Sequence, residues 1–347
     1  MQNRDLTLDL AKGLAITLVV LGHALQYSFG EAYTSSNLFF DNIVFKTIYS
    51  FHMPLFMLIS GYLFYTSNQK DFRTLALSKL MAIGIPIVTF TIICNWSTFW
   101  GILVEKGVLH FFASFIDNLI RGWAMWFLSS LLMNMLIVSV ITRITHSVML
   151  RNVVLLLIFV GSMFVPDYLL PGVFKFMFPF FCIGYLVKEG NLDVYRSSQN
   201  HAAMIVLSIL SVLSVCWFDR STYIYTSGFY LFRGINDPMI QLYVNLKRMI
   251  IGLIVSYTIL QCVHVFAVRK KITILERFGQ MTLFVYGFNV VFDTFYTWIM
   301  TTMSWNIDFN YLTPILFTLC VIILAYYLYK LISRNKVLAL LFLGKLK

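Results

Sequence analysis

Long apolar runs without charged residues recur along the chain. The clearest cover Leu14–Leu21, Ile83–Ile93, Val153–Val165 and Ile315–Leu328. These runs are apolar on every side, whereas the strands of a membrane barrel alternate apolar and polar residues. A helix that crosses the hydrocarbon core of a bilayer needs about 20 such residues. The pattern therefore predicts an all-α, polytopic integral membrane protein.

About ten membrane crossings fit the pattern. They are expected over 8–28, 43–66, 80–100, 123–142, 152–166, 173–188, 202–218, 246–267, 279–300 and 311–333. A short interfacial or re-entrant helix is expected over 107–120. The crossings would form one transmembrane domain over 1–333, followed by a short basic amphipathic tail on the cytoplasmic surface over 334–347.

Composition and charge support a membrane protein and predict its orientation in the bilayer. Of the 347 residues, 59% are hydrophobic and 12% charged, against about a quarter charged in soluble domains. In a soluble chain the net charge of +11 would suggest nucleic acid, but here it fits the preference of Lys and Arg for cytoplasmic loops. With the N-terminus inside, the outer loops hold only Lys106, Arg121, Arg220 and Arg233. Both ends are therefore predicted to be cytoplasmic, and no nucleic-acid partner is expected.

Several common kinds of site have no motif in the sequence. The five cysteines stand singly in apolar segments, and no HExxH pattern or acidic cluster occurs. Neither a disulfide framework nor a metal site is therefore expected. No glycine-rich phosphate-binding loop occurs either, which argues against nucleotide hydrolysis.

Ionisable side chains within the predicted helices are the candidates for chemistry, because a bilayer makes them costly. The first helix carries Asp9, Lys12 and His23, and the second carries His52. Eleven residues separate Lys12 from His23, which puts both on one helix face about 16 Å apart along the axis. His23 and His52 fall at similar depths in the outer half of the membrane, so they are expected to meet. Pro54 predicts a kink beside His52.

Each of these residues also has a simpler interpretation. Lys12 could be an anchor that reaches the inner-leaflet headgroups. His23 could be a buried histidine bonded to a backbone carbonyl, and His52 could merely support the kink. The basic residues at the inner end could simply follow the preference of Lys and Arg for the cytoplasmic side. They are Arg4, Lys70, Arg73 and Lys79.

Taken together, the positions suggest a path through the membrane. Phosphates of a cytoplasmic cofactor would bind at the basic inner end. A long flexible arm would pass Lys12 and present its reactive end near His23. A neutral imidazole there could take a proton from a hydroxyl group that arrives from outside.

The same residues resemble the acyltransferase-3 family of membrane proteins, particularly its carbohydrate O-acetyltransferase branch. Asp9-Leu10-Ala11-Lys12-Gly13 and Leu21-Gly22-His23 are similar to the first-helix signature of the family. Phe51-His52-Met53-Pro54-Leu55-Phe56, followed by Ser60-Gly61-Tyr62-Leu63, is similar to the more specific second-helix signature. Weaker similarities follow at Trp126-Phe127-Leu128, Pro179-Phe180-Phe181 and Phe278-Gly279-Gln280.

The resemblance implies an enzyme of the bacterial plasma (inner) membrane. It would move an acetyl group from cytoplasmic acetyl-CoA to a hydroxyl of a cell-surface polysaccharide or its lipid-linked precursor. His23 would match the essential histidine of the family, with His52 as a second catalytic candidate. Lys12 would match the basic residue eleven positions before His23. Together with the charged residues at the inner end, the candidates for the donor site are Lys12, Arg73, Lys79, Arg4 and Asp9.

Two positions depart from the family pattern. An Arg-x-x-Arg pair commonly enters the third helix and is linked to CoA binding, whereas this chain reads Lys79-Leu80-Met81-Ala82. The ninth-helix motif commonly ends in histidine, where this chain has Asn289. Both departures bear on the details of the site more than on the fold.

Two other classes of function compete with acyl transfer. A glycan or lipid transporter would use the polar line as a permeation path, but it would commonly show repeats with broken helices in matching positions. The seven prolines show no such pairing. A sensor or scaffold would leave two intramembrane histidines without a role. Acyl transfer is the leading hypothesis.

Overall fold

A computed structural model describes residues 5–121, 125–167, 172–233, 237–269, 273–304 and 307–345. All regular secondary structure in these ranges is helical, which confirms the predicted all-α class. The helices are α1 Leu6–Tyr27, α2 Gly30–Ser35, α3 Asn37–Asp41, α4 Ile43–Asn68, α5 Phe72–Lys79, α6 Ile85–Cys94, α7 Trp96–Lys106, α8 Val108–Arg121, α9 Trp126–Ile144, α10 Val148–Ser162, α11 Gly172–Glu189, α12 His201–Trp217, α13 Ile224–Ser227, α14 Pro238–Arg269, α15 Thr273–Gln280, α16 Thr282–Thr302, α17 Leu312–Ile332 and α18 Lys336–Leu343.

Within the described ranges, seven helices are long and apolar enough to cross a bilayer. They are α1, α4, the continuous helix Phe72–Cys94, α9, α14, α16 and α17. Two shorter apolar helices, α10 and α12, fall where the sequence predicted further crossings. The remaining predicted crossing, over 173–188, corresponds to α11, most of whose residues are buried inside the bundle. The protein is therefore a multi-pass membrane protein.

Two predicted spans have different boundaries in the structure. The third was expected over 80–100, but the helix covers Phe72–Cys94 and ends where Asn95 leaves the helical conformation. Its first turns carry Arg73 and Lys79, whose charges hid them from a search for apolar runs. The span expected over 246–267 begins at Pro238 instead. Its first three turns carry four polar or charged side chains that bind a neighbouring loop: Gln241, Asn245, Lys247 and Arg248.

The centre of the bundle depends on a close crossing of α4 and α11. A Cβ at Gly61 would lie 1.9 Å from the carbonyl oxygen of Phe181, and a Cβ at Gly184 would lie 2.0 Å from that of Leu58. Only glycine permits this approach, as at many helix crossings in membranes. The crossing fixes α4, and with it His52, against the core.

Two peripheral helices have distinct surroundings. No residue of α8 is buried, as expected for an amphipathic helix on a membrane surface. Its interfacial position stays a prediction. In the tail predicted over 334–347, α18 packs against α6, with Ala339 and Leu343 buried and Phe342 against Phe90.

Candidate active site

The candidate site centres on His23, near the end of α1, where it meets α16. His23 Nδ1 lies 2.9 Å from Asp293 Oδ2. Asn289, one helical turn before Asp293, donates its amide N–H to the same oxygen at 2.7 Å. The amide nitrogen of Asn289 also lies 2.6 Å from His23 Nδ1, so His23, Asn289 and Asp293 form one polar cluster. With the proton of a neutral His23 on Nδ1, the ring donates to the Asp293 carboxylate and Nε2 is its basic nitrogen.

His52 takes a similar tautomer by a different contact. Its Nδ1–H donates to the backbone carbonyl of Ile48, one turn earlier in α4, at 2.6 Å. The imidazole is buried and packs edge-on against Tyr49, with ring centroids 4.9 Å apart. The backbone bond agrees with the simple interpretation of a satisfied buried histidine, and it still leaves Nε2 available.

Both histidines line one cavity of about 590 Å³. This shared cavity agrees with the prediction from the sequence that the two histidines lie close together. Pro54, Asp293 and Arg248 line the same cavity. Its aromatic walls include Tyr27, Tyr49, Trp126, Phe176, Phe218, Tyr223, Tyr225 and Tyr286.

A second, smaller cavity of about 110 Å³ lies along α1 toward its N-terminal end. Lys12, Ile16 and Val19 line it. Met53 and Tyr286 line both cavities, so the two spaces share a wall. Lys12 and His23 thus border adjacent spaces along the same helix, as the helical spacing predicted.

The residues predicted to hold a donor are not all brought together. Asp9 is buried and forms an ion pair with Lys12, with Asp9 Oδ1 2.8 Å from Lys12 Nζ. Lys79 is half-buried, with its Nζ 5.8 Å from the centroid of the Phe64 ring. Arg73 is exposed and lines neither cavity. Arg4 lies outside the described residues. The donor role of these residues stays a prediction.

Ala82, where the family pattern has a second arginine, faces the C-terminal segment. A Cβ at Gly344 would lie 2.1 Å from the Ala82 carbonyl oxygen. The next residue, Lys345, donates from Nζ to the Tyr329 hydroxyl at 2.7 Å. The segment after α18 therefore occupies the surface beside the helix turn that carries Lys79 and Ile83.

The loop 218–233 covers part of the main cavity and is tied down by Arg248 of α14. The guanidinium donates to the backbone carbonyls of Thr222 at 2.9 Å and Gly228 at 2.8 Å. An ion pair between Lys247 and Asp219 also attaches this loop to α14. Burial raises the pKa of Asp219, but hydrogen bonds from Lys247 and Ser221 outweigh it and lower the pKa to about 2. The carboxylate thus stays charged, and the loop stays attached, at neutral pH.

Two parts of this site were missed by sequence reasoning. Asp293 is a carboxylate within an apolar helix, four residues after Asn289, and that spacing puts both side chains on one face. An intramembrane acid is itself a signal of function, so the sequence did contain a clue. The contacts of Arg248 with the loop 218–233 carried no signal, because they join residues distant in sequence through backbone carbonyls.

Within the described residues, no group of three or more His, Cys, Asp or Glu side chains could hold a metal ion. Acid–base chemistry by a carboxylate-oriented histidine is what the arrangement itself can perform. The fold and the site thus define a multi-pass membrane protein with a histidine–carboxylate pair lining a cavity.

Comparison with known proteins gives the family. Residues 5–334 match the acyltransferase domain family known as Acyl_transf_3, and the chain belongs to this family. The family resemblance predicted from the sequence is confirmed.

Two curated relatives carry the name nodulation protein NolL. The protein of Sinorhizobium fredii (strain NBRC 101917 / NGR234) is 29% identical over 230 residues, which cover 65% of this chain and 60% of the relative. The protein of Mesorhizobium japonicum (strain LMG 29417 / CECT 9101 / MAFF 303099) is 28% identical over 239 residues, 65% of this chain and 59% of the relative. The match thus spans about three-fifths of each relative. No solved structure matches the chain.

Proposed function

We propose that this protein is a membrane O-acetyltransferase that uses acetyl-CoA to acetylate a hydroxyl of a cell-surface polysaccharide or its lipid-linked precursor, in the bacterial plasma membrane. The observation that carries the proposal is the contact of His23 Nδ1 with Asp293, which leaves the basic Nε2 of a cavity-lining histidine available. Membership of an acyltransferase family supports it.

The chemistry requires a base, because a sugar hydroxyl is a poor nucleophile at neutral pH. His23 Nε2 takes the hydroxyl proton while the hydroxyl oxygen attacks the thioester carbonyl carbon. The new C–O bond forms first, and the C–S bond of the tetrahedral intermediate then breaks. The imidazolium returns the proton to the leaving thiolate, so the products are the acetyl ester and free CoA. Asp293 stabilises the imidazolium between the two transfers.

The donor would reach His23 from the predicted inner end. Lys12 borders the smaller cavity, and its ammonium group suits a phosphate as a point charge. Lys79 lies four residues before Ile83, which lines the same cavity. The pantetheine arm of CoA would then pass the wall that Met53 and Tyr286 share between the cavities.

His23→Gln tests the proposal most directly. Glutamine keeps a hydrogen-bonding group but cannot accept and return the proton, so acetyl transfer should fall by about 10²–10⁴-fold. Transfer is measured with purified protein in proteoliposomes, by mass analysis of the glycan, and acetyl-CoA binding is measured in the same sample.

Donor binding should survive in His23→Gln, since His23 lies beyond the predicted phosphate site. Near-normal transfer would remove His23 as the base. Glycan that crosses the vesicle membrane unmodified, in the wild-type protein, would instead favour a transporter.

A further inference from the structure

Arg248 is the cation that an anionic substrate in the main cavity would be expected to use. Its side chain is buried, and it lines the cavity. A guanidinium has five N–H donors. Here Nε donates to Thr222 O, one terminal nitrogen donates to Gly228 O and Asn245 Oδ1, and the other donates to Ser221 O and Ser227 Oγ. All five donors are engaged by the protein, so none remains for a substrate carboxylate or phosphate.

The other ionisable groups of the cavity offer an anion nothing better. The Nδ1–H groups of His23 and His52 are already donated to Asp293 and to a backbone carbonyl. Two lysines that do not line the cavity are also engaged by carboxylates. Lys175 is paired with Asp167, and Lys247 is paired with Asp219.

Asp293 instead presents an unused acceptor. The residue lines the cavity and is 5% exposed, and its buried Oδ1 has no hydrogen-bond donor among the described residues. A hydroxyl group is a suitable donor for such an oxygen, whereas a second carboxylate would be repelled. Burying an unpaired anion beside it would be strongly unfavourable.

Aromatic side chains provide the remaining recognition surface. Trp126 begins α9, and its ring lies edge-on to Tyr225 of α13, with centroids 6.2 Å apart. Tyr223 follows at 5.3 Å from Tyr225. Tyr225 is 49% exposed although it lines the cavity, which leaves part of its ring without protein contacts. Aromatic faces with polar tips suit the C–H faces and hydroxyl edges of a sugar ring.

We propose that the main cavity binds an uncharged glycosyl residue of the acceptor, held by Trp126 and Tyr225 and by a hydroxyl donated to Asp293, and that it excludes acidic sugars. This inference rests on the proposed function and names the class of its acceptor. Arg248 is a positioning residue, because it acts through the loop 218–233 that carries Tyr223 and Tyr225.

The test measures binding without transfer. His23→Gln protein in nanodiscs, without acetyl-CoA, is exposed to a panel of methyl glycosides. The neutral members are the glucoside, galactoside, mannoside and N-acetylglucosaminide, and the acidic members are the glucuronide and galacturonide. Saturation-transfer NMR reports which glycosides bind. The glucoside or the galactoside should bind at least tenfold more tightly than the uronide of the same ring configuration. Alternatively, the mannoside or the N-acetylglucosaminide should bind at least tenfold more tightly than both uronides.

Substitutions locate the binding site. Tyr225→Ala should weaken binding of the neutral glycoside about tenfold, since it removes the aromatic face against which the sugar ring packs. Tyr225→Phe keeps the ring and should retain most of the affinity. Tyr243→Ala is the matched control, because Tyr243 is similarly exposed, at 53%, and does not line the cavity.

Several results would overturn the inference. Uronides could bind as tightly as neutral glycosides, or no neutral glycoside could bind. Alternatively, Tyr225→Ala and Tyr243→Ala could lose equal affinity for the neutral glycoside. Failure of the proposed function is a separate result: neutral glycosides would bind, and yet wild-type protein would transfer no acetyl group. Acetyl transfer to acidic sugars alone would overturn the acceptor class and leave the acetyltransferase proposal intact.

Discussion

The contact between His23 and Asp293 defines the chemistry at the scale of single residues. A neutral imidazole can carry its proton on either nitrogen, and only the tautomer with a free Nε2 offers a base there. The carboxylate selects that tautomer through Nδ1, at 2.9 Å. It also balances the positive charge that appears when Nε2 takes a proton. A single carboxylate therefore orients the base and stabilises its protonated form.

Asp293→Asn should lower kcat for acetyl transfer by about 10²–10⁴-fold, because an amide neither fixes the tautomer nor stabilises the imidazolium. The KM for acetyl-CoA should change little, since Asp293 is remote from the predicted phosphate site. Steady-state kinetics in proteoliposomes separates the two parameters. Asp117→Asn is the control, because its carboxylate is in an exposed ion pair with Arg121. Equal kcat values in wild-type and Asp293→Asn proteins would contradict the orienting role.

Lys12 should affect the donor rather than the base. Loss of a charge-assisted contact costs about 1.5–3 kcal/mol, so Lys12→Ala should raise the KM for acetyl-CoA about tenfold or more. Lys12→Arg should be milder, although the two cationic groups are not equivalent. Unchanged donor kinetics in Lys12→Ala would return the residue to the role of a membrane anchor.

Sequence reasoning predicted His23 and His52 as candidates because they are ionisable residues within apolar helices, and Lys12 from its helical spacing to His23. It did not identify Asp293, although a charged residue in a membrane helix was visible. The reason is that the partner of His23 lies 270 positions away in the chain. Which of several intramembrane polar residues meet depends on how helices pack, and the apolar pattern does not encode that packing.

At the scale of helices, the apolar pattern predicted the approximate positions of the seven long apolar helices of the described residues. It failed where polar side chains belong to a helix but are satisfied by protein. The start of α14 is the clearest example, because the charged Lys247 and Arg248 interrupt its apolar run and bind the loop together with Gln241 and Asn245. A hydropathy window assigns such turns to a loop. The same polar contacts that hid the start of α14 hold the loop 218–233 over the cavity.

At the scale of the whole molecule, the two cavities divide the proposed reaction between two directions of approach. Lys12 lines the smaller one and His23 the larger, and they share a wall at Met53 and Tyr286. A donor and an acceptor can then meet at His23 without either one crossing the bilayer. This division has meaning only if the end with Lys12 faces the cytoplasm, where acetyl-CoA is made.

The orientation can be tested by cysteine labelling in a variant whose five native cysteines are replaced by serine. Glu31→Cys and Asp308→Cys should react with a membrane-impermeant maleimide on intact cells. His146→Cys and Lys336→Cys should react only after permeabilisation, because the positive-inside bias places their segments in the cytoplasm. All four positions are exposed, so a difference in labelling reports the side of the membrane rather than burial. Labelling of His146→Cys and Lys336→Cys on intact cells, with protection of the other pair, would invert the protein. The donor end would then face outward, and the proposed transfer from cytoplasmic acetyl-CoA would fail.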